Sequence, residues 1–173
     1  MLALTLLRHA KSSWDDQDLA DHERQLSKRG TKAATRIGRH IAEHNLVPDL
    51  IMCSDAIRAR ATLALVVVEL AAKPPAVTIT EDLYLASPAQ ILETVTANTS
   101  DARHILVIGH NPGLHALALS LPARANDNSM AEIAMKFPTA ALAHMTFDVT
   151  SWDEVRPATG HLAHYVTPRS LAV

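Results

Sequence analysis

The sequence predicts an α/β fold, a single-domain, mostly parallel sheet flanked by helices on both faces. Three observations predict it. Short apolar runs alternate with helical patterns along the whole chain, the β-α-β-α order that builds parallel sheets. Several of the breaks carry helix-start signals, such as Ser27, Ser87-Pro88 and Asn111-Pro112. The chain is 173 residues long with 48% apolar residues, enough for one full hydrophobic core over residues 1–173, and it shows no internal repeat, heptad pattern or linker.

The elements follow in order. Leu2–Leu7 reads as a buried first strand. Ser27 caps a helix running to about Asn45, with Ile37 and Ile41 on one face. Leu50-Ile51-Met52 is a second strand, after Pro48. Ser54-Asp55 offers capping oxygens to a helix whose apolar residues wrap around it, so burial on all sides is expected until Pro74-Pro75 stops it. Val77-Thr78-Ile79 is a third strand, and Ser87-Pro88 opens a helix. Ile105–Ile108 is the strongest buried strand, followed by a helix that Asn111-Pro112 opens. The polar, small-residue stretch from Pro122 to Met130 reads as a loop. Ala141–Phe147 and His161–Val166 complete the strand set.

Composition excludes some functions. The net charge is −2, a weak balance that argues against broad nucleic-acid binding, which needs many phosphate-neutralising cations. A local basic pocket for a small anion remains compatible with it. Cys53 is the only cysteine, so no internal disulfide can form, which favours a reducing compartment. The apolar run at the amino terminus lacks a basic leader and is too short for a signal segment or a membrane span; neither does Leu63–Val68 reach spanning length. The expectation is a cytoplasmic protein with no membrane and no nucleic-acid partner.

Chemistry gathers at the strand ends. The first strand ends in Arg8-His9, the second leads to Arg58 in the first turn of the next helix, and Ile105–Ile108 ends in Gly109-His110-Asn111. In parallel sheets ligands bind beyond the carboxyl ends of the strands, so two histidines and two arginines converge on one crevice. That set suits phosphoryl transfer. A neutral imidazole is a nucleophile at pH 7, and arginine forks match phosphate oxygens and stabilise charge developing on them. A protonated second histidine adds a donor, and the helix amino terminus after the strand adds backbone N–H groups. Each piece alone has an ordinary reading as exposed polarity; joint placement at three strand ends is what carries weight.

These residues also resemble a family. Leu6-Leu7-Arg8-His9-Ala10-Lys11 is similar to the arginine-histidine signature of the histidine phosphatase superfamily, also called phosphoglycerate-mutase-like. Ser54 through Arg58 to Thr62 resembles its second motif, and Val107-Ile108-Gly109-His110-Asn111-Pro112-Gly113 its third. Arg24-Gln25-Leu26-Ser27-Lys28-Arg29-Gly30 resembles the segment before the first helix, and Tyr165–Arg169 the ending of short bacterial members. The short length and the Arg-His-Ala-Lys opening resemble the SixA-type phosphohistidine phosphatases. The resemblance implies a phosphoglycerate-mutase-like fold and a metal-independent phosphatase that needs no cofactor. His9 would be the phosphorylated nucleophile. Arg8, Arg58 and His110 would bind the phosphoryl group, with Asn111 contributing through backbone or side chain. Arg24 would be either a further phosphate contact or one arm of a structural salt bridge. The substrate would be a phosphorylated protein bearing phosphohistidine, or a small phosphorylated molecule.

Larger members carry a carboxylic acid that protonates the leaving oxygen. Glu81 and Asp82 are the candidates here. A phosphohistidine leaving group is a nitrogen that can be protonated before departure, so the resemblance also allows no acid at all. Trp14, near Asp15, Asp16 and Asp18, shapes the pocket rim or anchors a loop. His40 and His44, four apart, read as an exposed helix face, because a metal site needs further ligands. No Walker A pattern is present, against a P-loop hydrolase. The alternatives are a phosphomutase of the same superfamily, disfavoured by the short chain, and a non-catalytic phosphate-binding adaptor, disfavoured by the presence of both His9 and His110.

Overall fold

A computed structural model describes residues 1–70, 72–98 and 101–171. Its strands are β1 (Leu2–Arg8), β2 (Leu50–Ser54), β3 (Ala76–Thr80), β4 (His104–Gly109), β5 (Pro122–Ala125), β6 (Leu142–Phe147) and β7 (Gly160–Val166). They form one seven-stranded sheet in the order β3-β2-β4-β1-β6-β7-β5. The β3, β2, β4 and β1 strands are mutually parallel; β6 runs antiparallel to β1 and to β7, and β5 joins β7 in parallel.

The helices are α1 (Lys28–Glu43), α2 (Ile57–Glu69), α3 (Pro88–Ala97), α4 (Gly113–Ser120) and α5 (Ser129–Met135). Two separate apolar clusters show that they cover both faces. One joins Ile37 and Ile41 of α1 and Leu63 and Val66 of α2 to Leu7, Ile51 and Ile108. The other joins Ile91 and Val95 of α3, Leu114 and Leu117 of α4 and Ile133 of α5 to Leu4, Leu6 and Val107. The chain therefore leaves β1 on one face and β4 on the other. Because these strands are neighbours, a crevice opens beyond their carboxyl ends. Arg8 pairs with Gly109 in the ladder, which sets His9 and His110 side by side just past it.

Local signals explain several elements. Ser27 caps α1 by accepting from the Gly30 N–H. Ser87 and Gln90 form a reciprocal capping box at α3 with Pro88 in the first turn. Gly30 also solves a contact problem, since a Cβ there would stand 2.1 Å from the Lys11 carbonyl oxygen. That close approach clamps the segment after His9 against α1, together with hydrogen bonds from Ser27 N and Oγ to the same carbonyl.

Four expectations are corrected. The helix α2 is buried on one side only; Val68 is 69% exposed, and β3 beside it is an edge strand with Val77 and Ile79 half exposed. Its start is not capped by Ser54 or Asp55; Ala56 is the cap residue, and Ser54 Oγ accepts from the Ala56 N–H inside the turn. The stretch from Pro122 to Met130 is not a loop. It holds β5 and the start of α5, because pairing with β7 overrides weak strand propensity and Pro122 sits at a strand start, where a missing N–H is tolerated. His40 is buried, not on an exposed face: its Nε2 lies 2.6 Å from His164 Nε2, and its ring stacks on the exposed His44. Among the described residues, no group of three or more histidine, cysteine or carboxylate side chains is placed to hold a metal ion, and no helix is long and apolar enough to cross a membrane.

Candidate active site

The crevice holds a cavity of about 220 Å³. Arg8, His9, Arg58, His110 and Asn111 line it, and so does Arg24. The remaining walls come from Lys11, Ser12, Trp14, Asp21, Leu85 and Thr139. Glu81 and Asp82 are not among the lining residues. Both lie exposed on the one-turn 3₁₀ segment Glu81–Leu83, where Asp82 accepts from Thr80 Oγ1.

His9 is pinned from both ends. Its backbone N–H donates to the Gly109 carbonyl, and its own carbonyl accepts from Ala140 N. The imidazole Nδ1 lies 2.8 Å from the Ala10 carbonyl oxygen. A carbonyl only accepts, so Nδ1 carries the proton and Nε2 presents a lone pair. Arg58 Nε, which only donates, meets that Nε2 at 3.3 Å and confirms the tautomer. Thr62, one helical turn past Arg58, ties the two together: Oγ1 accepts from Ala10 N at 3.0 Å and donates to the Arg58 carbonyl at 2.7 Å.

Arg58 is spread over four partners. Nη1 donates to the Asp21 carbonyl (2.6 Å), and Nη2 to Asp21 Oδ2 (2.9 Å) and toward His110 Nδ1 (3.3 Å), besides the contact to His9. His110 therefore accepts at Nδ1 and donates from Nε2 to Ser54 Oγ at 2.7 Å. Arg8 donates from Nη1 to the Phe137 carbonyl, while its Nε is buried with no partner among the described residues. Asn111 does not cap α4; its Nδ2 donates to the same Phe137 carbonyl, and its Oδ1 has no partner among the described residues. Arg24 donates to Ser12 Oγ and toward Asp21 Oδ1, and its guanidinium lies 3.3 Å over the Trp14 ring. Arg24 thus forms the salt bridge to Asp21 and also lines the cavity. Trp14 is at the rim.

Electrostatics follow from burial. Removal from water pushes the His9 imidazolium down to about 4, with Arg58 and Arg8 adding to the effect against the Ala10 carbonyl. Burial, then the neighbouring His9 and Arg58, push His110 down to about 3. Burial and the like charge of Arg58 lower Arg8 as well. Asp21 is lowered too, which for a carboxylate favours the charged form: the Tyr84 hydroxyl donates to Oδ2 at 2.6 Å and, with Arg58, holds it ionised. The result is a neutral imidazole beside cations crowded into a poorly solvated space, a setting that an anion relieves. Three of the wall residues, Asp21, Ser12 and Thr139, carried no distinct sequence signal. Asp21 stands among several acids after Trp14, and only its fold-back onto Arg58 sets it apart.

Comparison with known proteins bears on the family and the fold. The family model described as histidine phosphatase superfamily (branch 1) matches residues 4–84. An uncharacterized protein of Mycobacterium tuberculosis is 34% identical over 165 residues, covering 94% of this chain and all of the relative. The chain belongs to the histidine phosphatase superfamily. This histidine phosphatase is also similar in structure to the protein named “Putative Phosphohistidine Phosphatase SixA” from Nakamurella multipartitia, with 27% identity, a TM-score of 0.82 and 96% of each chain covered. The protein histidine phosphatase SixA complexed with tungstate shares the fold, at a TM-score of 0.76 and 19% identity over 98% of this chain and 99% of that one.

Proposed function

We propose that this histidine phosphatase hydrolyses phosphohistidine in a protein, through a phosphorylated His9, without a metal or cofactor. The observation that carries the reaction is the His9 tautomer, with Nε2 unprotonated beside Arg58 in a small cavity that Arg8 and Arg24 also line. An incoming phosphoryl group displaces Arg58 Nε from Nε2. The Nε2 lone pair then forms the P–N bond as the bond to the leaving group breaks, its electron pair departing with the leaving nitrogen. Arg8 and Arg58 take the equatorial oxygens, where charge accumulates. Water next attacks phosphorus, the P–Nε2 bond breaks, and the pair returns to His9.

The acid decides the substrate class. Among the described residues, Asp21 is the only carboxylate lining the cavity, and Tyr84 and Arg58 hold it ionised. Glu81, the candidate from sequence, lies outside the lining. A site without a protonated acid suits a leaving group that needs none. Phosphohistidine leaves as an imidazole that solvent protonates, whereas an alkoxide depends on a positioned acid worth about 10²–10⁴ in rate. The test is a panel in excess EDTA: a phosphohistidine protein, p-nitrophenyl phosphate and phosphoserine. Turnover should persist under the chelator, with kcat/KM for phosphoserine at least ~100-fold below that for the phosphohistidine protein. Equal rates on phosphoserine, or loss of all activity under EDTA with recovery on adding one metal, would overturn the reading.

A further inference from the structure

A basic strip runs from the mouth of the active site along α1, and its size and composition exceed what phosphate binding needs. Beside the catalytic cavity, and sharing Lys11 and Thr139 with it, lies a groove of about 200 Å³ whose charged walls are Lys11, Arg29, Lys136 and Arg169. This groove shares Arg29, Ala33, Pro168 and Arg169 with a further one of about 470 Å³, to which Lys28, Lys32 and Arg36 add their charges. Among the described residues, no aspartate or glutamate lines either groove. All seven cations are exposed, and among the described residues none has a carboxylate within salt-bridge distance.

The arrangement works against the stability of α1. Lys28, Lys32 and Arg36 stand four residues apart on one face, a like-charge row that repels itself. Lys28 also stands in the first turn of the helix, where the macrodipole disfavours a cation, and that turn has no acidic residue to offset it. Folding therefore gains nothing evident from this row. From Lys28 to Arg36 the row covers about 12 Å of helix, in addition to the groove that separates it from His9. A small phosphoester bound at His9 cannot reach along it.

We propose that the strip is a docking surface for an acidic face of the protein that delivers the phosphoryl group to His9; this rests on the phosphatase reading above and adds the partner's charge. A protein partner fits better than nucleic acid. Of the sixteen lysines and arginines, seven line these grooves, so the other nine face eighteen aspartates and glutamates elsewhere. A long polyanion would run off the strip onto repelling surface, while a domain-sized partner with a local acidic patch would not. Among the described residues, the strip has no aromatic lining on which bases could stack.

The test measures binding apart from hydrolysis. A fluorescein-labelled, unphosphorylated Glu-rich peptide is titrated by anisotropy against the wild type, against Lys32→Glu/Arg36→Glu, and against Arg103→Glu/Arg156→Glu, which makes the same charge change away from the strip. A thymidine oligonucleotide of equal charge and phosphatidylserine vesicles are the comparison ligands. Each variant is checked by thermal melt and by p-nitrophenyl phosphate turnover, which should be unchanged. The peptide should bind the wild type and the control variant alike, weaken about tenfold or more in Lys32→Glu/Arg36→Glu, and weaken similarly in half-molar salt. Undetectable peptide binding, equal binding by both double variants, or tighter binding of oligonucleotide or vesicles would overturn the proposal. Because the peptide carries no phosphate, failure of the phosphatase reading would show separately, as intact binding without turnover.

Discussion

Arg58→Lys keeps the charge of the cavity and removes its geometry. The guanidinium reaches His9 Nε2, His110 Nδ1, the Asp21 carbonyl and Asp21 Oδ2 from three different nitrogens, at 2.6–3.3 Å. A single ammonium nitrogen cannot span those positions, nor present two parallel donors to a phosphoryl group. Loss of one preorganised donor to a developing oxyanion costs about 10²–10³ in kcat, or ~2.7–4 kcal/mol. The lysine variant should fall in that range on p-nitrophenyl phosphate, with the loss mostly in kcat. Arg58→Ala, which also deletes the charge, should lose more and raise KM. Steady-state kinetics with matching melts decide the matter. A folded Arg58→Lys enzyme within tenfold of wild type would show that bulk positive charge, not the fork, does the work, and the reasoning would fail.

Two further outcomes follow from the structure. Gly30→Ala would normally stabilise a helix, but here its Cβ meets the Lys11 carbonyl, so the melt should drop by the equivalent of about 1–3 kcal/mol and kcat/KM should fall as the Lys11–Ser12 wall shifts; a rise in Tm would contradict the clamp. Burial holds His9 and His144 at about 4 and His110 at about 3, below the ordinary 6.5, so between pH 6.5 and about 4 the unfolded chain binds protons that the folded one refuses. Stability from these groups is complete above pH 6.5 and is lost on acidification, by at most about 1.4 kcal/mol per histidine per pH unit. Thermal melts between pH 7.5 and 5 should show this decline, smaller in His144→Gln; a flat profile would contradict the neutral, buried histidines.

The parts of the fold that were legible are those fixed by local rules. Apolar runs that become central strands, and caps such as Ser27 and Ser87, depend on neighbours in sequence. Arg8, His9, Arg58 and His110 were legible because each follows a strand end, and parallel topology brings such ends together. What was hidden depends on distant partners. Strand β5 exists because β7 lies beside it, the apolar outer side of α2 is open because β3 is an edge, and His40 is buried where α1 meets His164 of β7. Asn111 reads as a helix cap until the Phe137 carbonyl, far along the chain, claims its amide. Asp21 becomes part of the site only when its loop folds back onto Arg58, a closure no periodicity announces.

The central claim is that His9 Nε2 attacks phosphorus. Rapid-quench mass spectrometry of the wild type during turnover, with alkaline quenching to preserve the acid-labile P–N bond, tests it most directly. The account predicts a transient phosphoryl group on His9 whose formation and decay keep pace with turnover. It also predicts a His9→Ala variant with an intact melt that still binds phosphate through Arg8 and Arg58 but hydrolyses almost nothing. Turnover with no phosphorylated histidine at any time point, together with near-normal activity in folded His9→Ala, would contradict the account and leave water as the direct nucleophile.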